Sequence, residues 1–204
     1  MSLDLANLDI EFLLDKSGSM GTNRDCPGEK SRWEYAQETT LALAAYAEKH
    51  DPDGITVVPF AGSFKVYEGV TAAKVADVFA ENQPMGATET GAVLKNRLDA
   101  YFARKEAGTA KSLLLLVMTD GKPESQDEVA QAIVEATRKM DRDEEIAIQF
   151  VQIGKDAGAT KFLQFLDDEL VSKHGAKFDI VDTVKIADVE NFTFADLIQK
   201  SFAD

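Results

Sequence analysis

Near the start of the chain, the residues Leu8-Asp-Ile-Glu-Phe-Leu-Leu14 run directly into Asp15-Lys-Ser-Gly-Ser19. The first part alternates apolar and polar residues and then becomes wholly apolar, which predicts a β-strand entering a buried sheet. The second part is polar and carries a side-chain oxygen on every other residue. An apolar strand that ends abruptly in a polar loop is typical of α/β proteins, whose sites lie beyond the carboxyl ends of their strands.

Strand and helix patterns alternate along the rest of the chain. Further strands are predicted at 55–60, 64–68, 112–119, 145–153 and 177–181. Helices are predicted at 31–49, 72–81, about 91–107, 125–140, 157–173 and 193–202, and two of them begin at capping-box serines, Ser31 and Ser125. This alternation predicts an α/β fold, a Rossmann-like, doubly wound, mostly parallel six-stranded sheet with helices on both faces. No linker interrupts it, so we expect residues 1–204 to form a single domain.

Composition excludes several classes of partner and compartment. The 204 residues include 22 basic and 36 acidic side chains, and the net charge of −14 disfavours nucleic acid and anionic membranes as partners. The single cysteine, Cys26, excludes an internal disulfide and fits a reducing compartment. No apolar run approaches the ~20 residues of a transmembrane helix. The chain start lacks a signal-peptide pattern, although a removed leader would leave no trace, and we expect a cytoplasmic protein.

Three polar segments are predicted to meet at one edge of the sheet. They are Asp15-x-Ser17-x-Ser19 after the first strand, Gly86-Ala-Thr88 before the long helix, and Thr119-Asp120-Gly121 after the most apolar strand. Their donors are carboxylate and hydroxyl oxygens, without His or Cys. Such donors suit Mg²⁺, Mn²⁺ or Ca²⁺ and disfavour zinc and copper. The segments therefore predict a site for a hard divalent cation.

Together, the three segments resemble the metal-ion-dependent adhesion site of von Willebrand factor A (VWA) domains. Asp15-Lys-Ser-Gly-Ser-Met20, Gly-Ala-Thr88 and Thr-Asp120-Gly stand in the family's order, and the resemblance covers essentially the whole chain. It implies the strand order 3-2-1-4-5-6, with a short antiparallel third strand at the edge. The first motif is similar to that of bacterial intracellular members, including tellurium-resistance-type and chaperone-ATPase-associated proteins.

The resemblance also implies a role for each candidate ligand. Ser17 and Ser19 would bind the metal through their hydroxyls, Thr88 directly or through water, and Asp15 and Asp120 would accept hydrogen bonds from metal-bound waters. An ion held mainly by neutral oxygens keeps much of its charge and an exchangeable position. We therefore expect a non-enzymatic, metal-dependent protein–protein interaction domain. Its partner is an unidentified protein that presents an acidic residue to the metal.

Two other functions fit the same residues. A magnesium-dependent hydrolase or phosphotransferase would use Asp15 and Asp120, and a purely structural domain would leave the site unused. Each aspartate alone is also common as a turn residue after a strand, whereas the coincidence of three segments favours a site. No histidine lies in the polar segments to act as a general base. We expect the two carboxylates to be unpaired and to repel each other, so that a bound ion raises the melting temperature.

Partner choice is predicted to depend on side chains around the metal. A strand-to-helix connection usually has about 2–6 residues. The segment 21–30 is longer than that. Its Arg24 and Lys30 are candidates to pair with a partner's acidic residues. The alternative is a solvated loop without a role, in which case Glu89 and Glu124 are the candidate partner-binding residues.

Overall fold

The computed structural model describes residues 7–49, 53–186, 196 and 200–202. Its six strands are β1 (Leu8–Asp15), β2 (Ile55–Phe60), β3 (Tyr67–Val70), β4 (Ser112–Thr119), β5 (Ile146–Gln152) and β6 (Val181–Lys185). They form one sheet in the order β3-β2-β1-β4-β5-β6. Only β3 is antiparallel to its neighbour within this sheet of described strands. The predicted fold class, strand order and antiparallel edge strand are confirmed.

Helices cover both faces of the sheet. Those in the described residues are α1 (Gly18–Thr22), α2 (Arg32–Ala47), α3 (Val75–Glu81), α4 (Thr90–Glu106), α5 (Gln126–Lys139), α6 (Ala157–Asp168) and α7 (Leu170–His174). Side chains of α1, α2 and α3 pack with Phe12 and Leu116 on one face. Side chains of α4 to α7 pack with Leu13 and Leu115 on the other. Neighbouring residues of one strand thus serve opposite cores, because successive side chains point to opposite faces.

The sequence signals for helix starts are confirmed at two places. At the start of α2, the Glu34 backbone N–H donates to Ser31 Oγ at 3.1 Å, and the Ser31 N–H donates to Glu34 Oε2 at 2.7 Å. At the start of α5, the Glu128 N–H donates to Ser125 Oγ at 3.3 Å. These bonds satisfy backbone donors that a first helical turn leaves without partners.

Two predicted strand positions are wrong by a few residues. The strand predicted at 64–68 begins later, as β3 at Tyr67–Val70. The chain first reverses through 61–66, where the Ala61 N–H donates to the Ser63 carbonyl at 2.9 Å. The strand predicted at 177–181 also begins later, as β6 at Val181–Lys185. The Lys177 N–H donates to Thr137 Oγ1 of α5 rather than to β5. Pairing with β5 begins only at Val181. A local turn shifts the start of β3, and a tertiary contact shifts the start of β6.

Two helical predictions also change. The helix predicted over 157–173 is divided into α6 and α7 at Glu169, where φ is −119° and Leu170 turns into the core. No helix is predicted between the first strand and residue 31, but this part of the chain contains α1 and a 3-10 turn at Pro27–Glu29. The helix predicted over 193–202 lies outside the described residues except for 196 and 200–202. Among the described residues, no helix is long and apolar enough to cross a lipid bilayer.

Candidate metal centre

The centre lies at the carboxyl ends of β1 and β4, which are neighbours in the middle of the sheet. Leu14 of β1 pairs with Met118 of β4, so the two strands end at the same level. Thr119 Oγ1 donates to Asp15 Oδ2 at 2.8 Å across this edge. The pairing therefore joins the first and third polar segments, as the sequence predicts.

Asp15 turns the first loop over the end of the sheet. Its side chain is fully buried, and its Oδ1 accepts the Ser17 backbone N–H at 2.7 Å. Burial raises the pKa of Asp15 to about 6, with a further contribution from the nearby Asp120, against the lowering effect of its hydrogen bonds from Ser17 and Thr119. Because both oxygens accept protein donors, Asp15 holds the loop that carries the two serines.

Three oxygens follow one another beside this carboxylate. Ser17 Oγ lies 3.1 Å from Ser19 Oγ, and Ser19 Oγ donates to Asp120 Oδ1 at 2.9 Å. Neighbouring ligands of an octahedral Mg²⁺, with bonds of about 2.1 Å, lie about 3 Å apart. The described residues contain no group of three or more His, Cys, Asp or Glu side chains suited to a metal, so an ion here depends on hydroxyls. The donor chemistry and the spacing both fit a hard divalent cation.

Thr88 is brought to the same edge by backbone hydrogen bonds on both sides of it. The Met85 N–H donates to the Lys16 carbonyl at 2.7 Å, and the Gly18 N–H donates to the Gly86 carbonyl at 3.3 Å. On the other side, the Glu124 N–H donates to the Thr88 carbonyl at 3.0 Å. The loop before α4 is thus held between the first and third segments, and all three predicted segments meet.

Arg32 is a member of the centre that the sequence analysis missed. Its Nη1 donates to Asp120 Oδ2 at 2.6 Å, while its Nε and Nη2 donate to the two carboxylate oxygens of Asp25 at 2.9 and 2.6 Å. These contacts raise the pKa of Arg32, mainly through Asp25, and lower that of Asp25. The expectation that Asp120 is unpaired is therefore wrong. No metal-site motif contains this arginine, and its position directly after Ser31 is the only local signal.

Arg24 and Lys30 point to solvent and pair with acids of α2. Arg24 Nη1 lies 3.4 Å from Glu34 Oε2, and Lys30 Nζ lies 2.6 Å from Glu38 Oε2. Both pairs are exposed to solvent, which screens their attraction. A partner's carboxylate could therefore replace Glu34 or Glu38 at little cost.

Three further side chains flank the candidate ligands more closely along the chain. Glu89 is half-buried directly after Thr88, and Glu124 is exposed, with its backbone bonded to the Thr88 carbonyl. Met85 lies on the same loop with 67% of its surface exposed, the highest value among the exposed large apolar residues that the structure describes. The rim of the centre thus offers acidic and apolar contacts, and the sequence analysis did not single out Met85.

Fold and site together define a class of protein, a doubly wound α/β domain with a cluster of carboxylate and hydroxyl oxygens at the carboxyl edge of its sheet. The family model for the von Willebrand factor type A domain matches residues 9–178. The chain therefore belongs to the VWA family, whose domains are known for metal-dependent protein interactions. No curated protein matches the chain.

The solved structures that are similar to this chain include the following two. The SpRpn10 VWA domain aligns at 12% identity with a TM-score of 0.59, covering 87% of each chain. The manganese-loaded Plasmodium vivax TRAP protein aligns at 14% identity with a TM-score of 0.60, covering 98% of this chain and 74% of TRAP. At these identities the similarity establishes the fold alone.

Proposed function

We propose that this chain is a metal-dependent protein-interaction domain that binds a partner carboxylate through a divalent cation, Mg²⁺ or alternatively Mn²⁺ or Ca²⁺. Ser17, Ser19 and Thr88 would hold the ion through their hydroxyls, Asp120 would bind it directly or through a water, and Asp15 would lie beside these groups. The observation that carries the proposal is the row of oxygens spaced 3.1 and 2.9 Å apart at the sheet edge. That spacing matches neighbouring ligands of a small octahedral ion.

The charge balance supports an acidic partner. The two carboxylate oxygens of Asp15 accept hydrogen bonds from Ser17 and Thr119, and Asp120 forms an ion pair with Arg32. The remaining candidate donors are neutral hydroxyls, which would reduce the charge of a bound divalent cation little. When bound, the ion supplies a positive charge and an exchangeable position at the surface. A carboxylate from another protein would complete its coordination.

The finer assignments are proposals too. We place the chain, as one domain, in the cytoplasm and in the bacterial tellurium-resistance-like branch of the family, associated with a stress-response or chaperone-ATPase system. The support is the wording of the motif at 15–20 and a single cysteine in 204 residues. We propose no catalytic residue.

Isothermal titration of the whole chain with Mg²⁺ and Mn²⁺ tests the site. We expect binding by the native chain, loss of binding in the double variant Ser17→Ala, Ser19→Ala, and unchanged binding in the matched control Ser172→Ala, whose serine lies on α7. Absence of binding by the native chain contradicts the proposal. Mg²⁺-dependent turnover of phosphate esters or nucleotides, lost in Asp15→Ala, would establish the enzymatic alternative instead.

A further inference from the structure

Arg32 places a permanent positive charge inside a centre suited to a cation. The residue is 9% exposed and Asp120 is 3% exposed, so their contact at 2.6 Å is shielded from water. Guanidinium groups stay protonated in proteins, and the two acids raise the pKa of Arg32 further. A cation that enters the centre therefore meets a positive charge that is already paired with Asp120.

The arginine and an ion would draw on the same carboxylate from opposite sides. Arg32 contacts Asp120 Oδ2, whereas Asp120 Oδ1 accepts from Ser19 in the row of candidate ligands. Negative charge used by the guanidinium is less available to the ion, and the two positive charges repel each other. Arg32 should lower the affinity for metal and leave a bound ion more attractive to an external acid.

Asp25 gives the arginine a second carboxylate and connects it to the surface. The fork of Nε and Nη2 contacts both oxygens of Asp25, whose side chain is 35% exposed on the segment before α2. The Arg32 backbone N–H also donates to the carbonyl of Asn23 at 3.2 Å. One side chain thus joins the segment 23–31 to the candidate metal centre.

We propose that Arg32 is a built-in competitor of the divalent ion. Its guanidinium competes with the ion for Asp120 and, through Asp25, couples metal binding to the segment 23–31. The inference rests on the proposed function and adds a regulatory element to it. If the contacts of Arg32 served only the fold, replacing Arg32 would change stability and leave the affinity for metal unchanged.

The first test compares Mg²⁺ affinity by isothermal titration in four versions of the whole chain. We expect Arg32→Met, which keeps the unbranched stem of the side chain and removes the charged guanidinium, to bind about tenfold more tightly than the native chain. We expect Asp25→Asn to bind several-fold more weakly, because the guanidinium then depends on Asp120 alone. The control Glu29→Gln removes the same charge from the same segment and should change affinity little.

The outcomes separate this inference from the proposed function. Metal binding by the native chain with equal or weaker affinity in a folded Arg32→Met variant overturns the inference and keeps the function. Binding by Arg32→Met alone supports the inference and contradicts the function for the native chain. Binding by neither contradicts both. If Arg32→Met does not fold, Asp25→Asn decides, and an affinity equal to that of Glu29→Gln overturns the inference.

The buried thiol of Cys26 provides a second readout, next to Asp25 and unique in the chain. An ion that takes over Asp120 removes one of the two carboxylates that hold Arg32, which loosens the segment. We expect Mg²⁺ to accelerate the reaction of Cys26 with a thiol reagent in the native chain and not in Asp25→Asn. A native rate that is unchanged or slower with Mg²⁺ overturns the coupling.

Discussion

Gly154, which follows β5, is the position where one methyl group should disturb the metal centre most selectively. Its φ is +81°, and a Cβ built there would lie 2.5 Å from Cζ and 2.9 Å from Nε of Arg32. Ordinary contacts begin near 3.4 Å, so the guanidinium would have to move by about 0.9 Å. Arginine is flexible in general, but here three hydrogen bonds to Asp25 and Asp120 hold it.

The expected cost of Gly154→Ala has two parts. A left-handed φ costs alanine about 1–2 kcal/mol, and loss of the buried, charge-assisted bond to Asp120 costs about 1.5–3 kcal/mol. Urea unfolding in the presence of a chelator should therefore show a free energy of unfolding lower by about 2.5–5 kcal/mol. If Arg32 leaves Asp120, the stabilisation by Mg²⁺ should also exceed that of the native chain.

Gly158→Ala is the matched control. A Cβ there would lie 2.6 Å from Lys122 Nζ, but Lys122 is exposed and can turn into solvent, and Gly158 lies in α6 without a positive φ. We expect a change within about 0.5 kcal/mol, since alanine also favours helix. A loss of no more than about 1–2 kcal/mol for Gly154→Ala, the cost of the left-handed φ alone, would show that the guanidinium is not held in place, and the account of the centre would fail.

Three further predictions concern the acid pairs and the rim. Although burial raises the pKa of Glu145, Lys105 and two backbone N–H groups hold it below its usual value, so the stabilisation is present above about pH 4.5 and is lost as pH falls through the lowered pKa. Glu145→Gln should cost about 1–3 kcal/mol at pH 7 and flatten the acid side of the pH–stability curve measured by urea unfolding, and an unchanged curve would contradict this. Glu11→Gln should cost about 3–5 kcal/mol, because the buried Arg97 loses its partner at 2.6 Å, whereas the exposed Glu38→Gln should cost under about 1 kcal/mol; equal losses would refute the difference. Once a partner is in hand, Arg24→Ala with Lys30→Ala should weaken its binding and leave Mg²⁺ affinity unchanged, and titrations showing equal partner binding would move selectivity to Met85, Glu89 and Glu124.

The sequence predicts the parts of the fold that depend on local chemistry. The capping box at Ser31, the N-cap serine Ser125, and the apolar runs at β1 and β4 indicate elements whose cause lies within a few residues. The start of β6 was misplaced because Thr137 of α5 holds Lys177 away from β5. That contact spans 40 residues, and no local pattern indicates it.

The candidate site divides in the same way. Its candidate ligands stand in three polar segments, two of them after strands and one before α4, in a recognisable order, so they could be proposed from the chain alone. Arg32 could not be, because its partner Asp120 lies 88 residues away and its place beside the centre depends on how α2 crosses the sheet. A lone arginine in the first turn of an amphipathic helix resembles any surface charge until the fold buries it.

This buried arginine bears on why the centre would need a partner. Asp15 accepts hydrogen bonds from Ser17 and Thr119, Asp120 is paired with Arg32, and the other candidate donors are neutral hydroxyls, so a bound divalent ion would keep much of its charge. Replacing Arg32 should tighten metal binding and, by neutralising the ion better, weaken its attraction for an external carboxylate. Metal affinity and partner affinity should therefore change in opposite directions in Arg32→Met. A variant in which both increase together would show that the arginine acts on the fold rather than on the charge of the ion.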